Sequence, residues 1–109
     1  MMKRFCVILG MAALPLTLHA AAVDEEAARA TLKQNNCFKC HSVDKKKDGP
    51  AFKETADKYR NKPDGVDKVY KHITTGPTVK IDDQEEKHKI MKGSDDEIHN
   101  VVNWILSTK

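Results

Sequence analysis

The segment Cys37-Phe38-Lys39-Cys40-His41 sets two thiols three positions apart and puts an imidazole directly after the second. This is the spacing of covalent haem attachment. Two intervening residues let both thiols reach the vinyl groups along one porphyrin edge and form thioethers. The histidine that follows then lies beneath the ring, where one of its nitrogens can bind iron. Other uses of the motif fit less well. A redox-active cysteine pair normally accompanies a βαβ pattern, which this chain lacks. A zinc site needs four ligands, and His72, His88 and His99 stand at unpaired spacings. A disulfide between Cys37 and Cys40 closes too small a loop to stabilise much, and leaves His41 without a role.

The beginning of the chain supports the same reading. Lys3 and Arg4 precede an apolar stretch from Phe5 to Leu18, and Ala20-Ala21-Ala22 supplies small residues for cleavage. That is the pattern of a secretory signal peptide, residues 1–22, cut before Val23 or after Ala20. A stretch of about 14 apolar residues is too short to span a bilayer, so no stable membrane insertion is expected. Cys6 leaves with the signal. The whole chain carries a formal charge of +3; without Lys3 and Arg4 the domain 23–109 is close to neutral, which argues against nucleic-acid binding. A domain of about 87 residues can bury only a small core, and exported domains of this size generally need a staple or a cofactor. A haem supplies one.

The rest of the domain reads as helices joined by polar loops. Asp24-Glu25-Glu26 opens the first, with acidic side chains at its positive end, and Asn35-Asn36 closes it. Asp48-Gly49-Pro50 is a turn, with Pro50 placed to start a short helix reaching Tyr59. Val66, Val69, Tyr70 and Ile73 recur at helical spacing before Gly76-Pro77. A long charged loop is expected from Thr78 to Gly93. Ser94 and Glu97 form a capping-box pattern, and Ile98, Val101, Val102 and Ile105 make one apolar stripe behind it. No run alternates well enough to suggest a strand, so the expected fold class is all-α.

These residues carry a resemblance. The stretch from Lys33 through the cysteine motif to Asp44 is similar to the haem-attachment segment of class I c-type cytochromes, and of their short bacterial monohaem subgroup in particular. Gly49-Pro50-Ala51-Phe52-Lys53 resembles the stretch that follows. Ser94-Asp95-Asp96-Glu97 with Trp104-Ile105-Leu106-Ser107 resembles the closing helix, while residues 61–93 match loosely. The resemblance implies about four helices wrapped around one covalent haem c. It implies a periplasmic carrier of single electrons rather than an enzyme, monomeric and docking transiently on redox partners. It makes His41 the proximal iron ligand and the Pro50 carbonyl the acceptor of its hydrogen bond, a contact that orients such a ring. It also crosses the first and last helices, which suits Ala27, Ala28 and Leu32 packing near Val101, with Trp104 as a packing residue.

The sixth ligand is open between two residues. The family usually supplies a methionine, and Met91 is the one methionine beyond the signal. The subgroup places that ligand about six residues before the serine that caps the last helix; counting back from Ser94 gives His88. Methionine raises the haem potential relative to a second histidine, so the choice fixes which redox chains the protein suits. A labile sixth position defines the alternative function, a haem enzyme or a gas-binding sensor. Lys45-Lys46-Lys47, with Lys39, Lys53 and Lys58 nearby in sequence, forms a candidate basic rim for steering acidic partners.

Overall fold

The computed structural model describes Gly10, Ala12, Ala13 and residues 22–109. The expected signal peptide, with Cys6, otherwise lies outside the described residues. Four α-helices follow: α1 (Glu25–Gln34), α2 (Phe52–Tyr59), α3 (Gly65–Thr75) and α4 (Asp95–Ser107). A 3₁₀ turn (Cys37–Lys39) lies between α1 and α2, and a hairpin, β1 (Thr78–Ile81) with β2 (Gln84–Lys87), lies between α3 and α4.

The helix ends follow their local chemistry. The Asp24 carboxylate accepts from the Ala27 amide and starts α1. Ser94 and Glu97 close both arms of the capping box at α4, which satisfies amides that the first turn leaves unpaired. Gly76 ends α3 in the left-handed region, at φ 64°, where a glycine meets no Cβ penalty. Pro50 does not begin α2; the helix starts at Phe52. The amides of Phe52 and Lys53 instead donate to the carbonyls of Ser42 and Val43. The segment after the cysteine motif thus caps α2, with extended Ala51 as its N-cap and Pro50 outside it.

The core forms where α1, α2 and α3 meet α4. Leu32, Val101 and Val102 are fully enclosed, and Phe52, Val69, Ile73, Met91, Ile98, Trp104 and Ile105 pack around them. On α1 the buried face is Ala28, Thr31 and Leu32. Ala27 is exposed, because it lies on the flank of that face rather than within it. Trp104 meets Phe52 edge to face, with the Arg29 guanidinium 4.9 Å from its ring, so it is a packing residue.

The all-α expectation holds for the helical architecture, but a two-stranded hairpin that it did not include is present. The loop expected from Thr78 to Gly93 contains an antiparallel pair with Thr78 opposite Lys87 and Ile81 opposite Gln84. Thr78-Val79-Lys80-Ile81 is a short alternating run, and Asp82 and Asp83 turn the chain with φ of 47° and 65°. Aspartate tolerates that left-handed conformation better than most residues. The charges of Gln84-Glu85-Glu86-Lys87 hide the second strand, since they leave it no apolar face to recognise. Among the described residues, no helix is long and apolar enough to cross a membrane.

Candidate haem-binding site

The cysteine motif sits on a tight turn fixed by its own backbone. The amides of Cys40 and His41 both donate to the Cys37 carbonyl, and Asn36 enters the turn with φ 56°. Cys37 and Cys40 are not joined in a disulfide, and each is half-buried. Burial pushes the Cys37 thiol up from its ordinary pKa, against the opposing pull of Lys89.

Three residues hold the His41 ring. Phe52 stacks against it at 5.3 Å between centroids, with the planes 19° apart. Gly49 lies against the imidazole so closely that an added Cβ would overlap Cε1 and stand 2.8 Å from Nδ1. The Pro50 carbonyl lies 2.8 Å from Nδ1. A carbonyl can only accept, so Nδ1 carries the ring proton and Nε2 is left with its lone pair. Burial, the largest influence, lowers the His41 pKa and favours this neutral form. Residues 49 to 52 therefore form one cradle for the ring. The sequence marks Gly49 and Pro50 as a turn, but nothing in it signals that Gly49 and Phe52 clasp His41 from two sides.

Across from His41 runs the strap from His88 to Lys92. The His88 amide donates to the Pro77 carbonyl and the Met91 amide to the Ile73 carbonyl, both at 2.8 Å. The His88 ring lies 6.1 Å from the His41 ring, centroid to centroid. Its Nδ1 is 2.8 Å from the Lys89 carbonyl, so Nδ1 again carries the ring proton and Nε2 is bare. His72, on α3, sets its ring edge-on to His88 at 4.5 Å; burial lowers its pKa. Met91 is 7% exposed and belongs to the core cluster, although it also reaches the cleft. His99 lies elsewhere, stacked on Tyr70.

The two walls enclose a cleft of about 860 Å³, lined among others by Leu32, Cys37, Cys40, His41, His88 and Met91. Protein interiors pack with few voids larger than a water molecule. A space of this size in the middle of a small domain is therefore a built site. Two thiols, an imidazole held in one tautomer and an apolar lining are the donor set that a covalent haem needs. The residues fit the group.

The fold and this site define a haem-binding module of the class I type, and the comparisons agree. The family model described as "Cytochrome c" matches residues 26–109, and the chain belongs to that family. The crystal structure of the Class 1 cytochrome MtoD from Sideroxydans lithotrophicus ES-1 superposes with a TM-score of 0.78 at 50% identity, covering 80% of this chain and 98% of that one. Cytochrome c-552 of Nitrosomonas europaea is 32% identical over 88 residues, 71% of this chain and 74% of its own length. Cytochrome c-551 of Pseudomonas aeruginosa is 28% identical over 93 residues, 85% and 88% of the two chains. As a cytochrome c, the chain carries one covalently bound haem c with iron and works in electron transport, not as an enzyme.

Proposed function

We propose that the protein is a periplasmic carrier of single electrons whose one haem is bound through Cys37 and Cys40 and ligated by His41 and His88. When bound, the haem supplies a reversible one-electron couple. The chain's own residues orient it, exclude water from it and set its potential.

The His41–His88 relationship carries this reading. An imidazole nitrogen lies about 2.0–2.1 Å from a first-row metal it ligates, so rings on opposite sides of one iron have centroids about 6 Å apart. The distance here is 6.1 Å, and both rings have Nδ1 engaged with a backbone carbonyl. Carbonyl partners of this kind fix the tautomer and orientation of ligating histidines. Were His41 and His88 both to hold the iron, small molecules would find no open site on it, and the haem would supply outer-sphere electron transfer.

Met91 supports a second reading, because it lines the same cleft. Its place in the core cluster gives it a packing role that needs no metal. The charged n-region and apolar stretch of residues 1–22 support export. Exposed Lys39, Lys45 and Lys46 next to the attachment turn support brief docking of the monomer on acidic redox partners.

Optical and near-infrared spectra of the holoprotein test the ligand set. A low-spin spectrum without a sulfur-to-iron band is expected; a strong band of that kind would assign Met91 instead. Cell fractionation with N-terminal sequencing tests export, with Val23 expected as the first residue. Retention of the haem-loaded chain in the cytoplasm with residues 1–22 still attached would sink that part.

A further inference from the structure

We infer that Asn35 is a positioning residue for the sixth iron ligand: its side chain clamps the His88–Lys92 strap to the end of the helix that leads into the haem-attachment turn. The inference rests on the reading that this strap supplies the ligand.

Asn35 is the C-cap of α1, two residues before Cys37, and is only 5% exposed. Its amide makes three hydrogen bonds. Nδ2 donates to the Thr31 carbonyl at 2.9 Å and to the Lys92 carbonyl at 3.0 Å. Oδ1 accepts from the Lys92 amide at 2.8 Å. Both polar groups of one backbone residue on the strap are thus satisfied by one side chain from across the cleft. A buried amide in this position is costly unless every partner is present, which makes the pairing selective. Few other side chains reproduce it. Aspartate keeps the acceptor but sets an oxygen against two carbonyls, serine is too short, and glutamine is one carbon too long for the same register.

The clamp acts between the walls of the site. On one side is the helix end that sets Asn36 and the cysteine turn. On the other is the strap, otherwise held by the single backbone bonds of His88 to Pro77 and Met91 to Ile73. Asn35 therefore sets how firmly the ligand-bearing strap is held towards His41.

The fold also contains a control. Asn100, on α4, makes the matching pair of bonds at the other end of α1: Oδ1 accepts from the Asp24 amide at 3.0 Å and Nδ2 donates to the Asp24 carbonyl at 2.9 Å. The chemistry is the same, but that clamp spans no part of the cleft.

The test is carbon monoxide binding to the ferrous holoprotein, which reports how readily the sixth ligand leaves, with thermal stability measured in parallel. In Asn35→Asp and the less perturbing Asn35→Ser, association is expected to accelerate by about ten- to a hundredfold, the usual cost of losing a contact that orients a ligand. Asn100→Asp should lower stability without changing the rate. Parental rates in both Asn35 variants, or equal acceleration in Asn100→Asp, would overturn the inference. His88→Ala separates the clamp from the ligand assignment. If that variant binds carbon monoxide as slowly as the parent, His88 is not the ligand, and acceleration in the Asn35 variants still supports the clamp through Met91 on the same strap.

Discussion

His41 and His88 face each other with ring centroids 6.1 Å apart and planes inclined at 48°, each ring turned by a backbone carbonyl so that Nε2 is free. The two residues come from different parts of the chain and are oriented in the same way: Pro50 serves one and Lys89 the other. Two imidazoles prepared alike on facing walls of the cleft are the geometry behind the proposed His41–His88 ligand set. Met91, on the same strap, lies deeper and packs with the helices.

The first prediction separates these two residues. His88→Ala is expected to convert the ferric protein from low-spin to largely high-spin and to open the ferrous iron to carbon monoxide. Met91→Leu, a swap that nearly conserves volume, is expected to keep the parental spectrum and cost less than about 1.5 kcal/mol. Visible spectra and urea titrations of the two variants decide it; a spectral change in Met91→Leu alone would reverse the assignment.

A second prediction concerns Gly49. A Cβ at this position overlaps the His41 ring, which cannot withdraw because Phe52 stacks on it and Pro50 holds its Nδ1. Gly49→Ala is expected to destabilise the holoprotein by about 1–3 kcal/mol, the usual cost of overpacking, and to move the midpoint potential as the ring tilts. Denaturation and redox titration measure the two effects. A variant with parental stability and potential would mean that the loop yields freely.

How far the sequence reveals this site depends on how local each signal is. Cys37, Cys40 and His41 fall within five residues, and their spacing is their chemistry. The capping box at Ser94 and the stripe from Ile98 to Ile105 are local too, so α4 is fully legible. His88 is different. It stands in Glu85-Glu86-Lys87-His88-Lys89, a run that resembles a solvated loop, and its role depends on bonds to Pro77 and Lys89 that only the folded strap makes. The hairpin escapes notice for a related reason, because β2 is polar throughout and exposed. Asn35 looks like a simple helix stop, since its partner Lys92 is distant in the chain.

A third prediction concerns pH. The Tyr70 hydroxyl donates to the Asp95 carboxylate at 2.5 Å, and this bond, above all other causes, raises the Tyr70 pKa. The folded state therefore keeps the phenolic proton to higher pH than the unfolded chain. The resulting stabilisation is fully present below the ordinary tyrosine value of about 10 and is lost as pH rises through the raised folded value. Tyr70→Phe should be less stable than the parent at pH 7, and the gap should close in alkaline solution. Urea midpoints for the pair between neutral and alkaline pH test this. A gap that stays constant would show that the bond contributes no pH-linked stability.

The last prediction concerns the basic rim, whose lysines do not all stand free. Lys47 folds back so that its Nζ donates to the Phe38 carbonyl at 2.7 Å, a bond that braces the attachment turn. Lys58 places its ammonium 5.2 Å from the Tyr59 ring, and Lys53 is partly buried. Lys47 and Lys58 stay exposed, and Lys39, Lys45 and Lys46 are the exposed lysines beside the turn whose ammonium groups make neither of these contacts. If they steer partners, reduction by an acidic redox protein should slow as salt rises, because screening shortens the field to about 10 Å at 0.1 M. Replacing all three by glutamate should slow association most at low salt, while Lys47→Glu should instead disturb the turn and alter the haem spectrum. Stopped-flow rates over a range of ionic strengths distinguish the two effects. A rate unaffected by salt in the parent would exclude electrostatic steering and leave docking to the uncharged surface around the cleft.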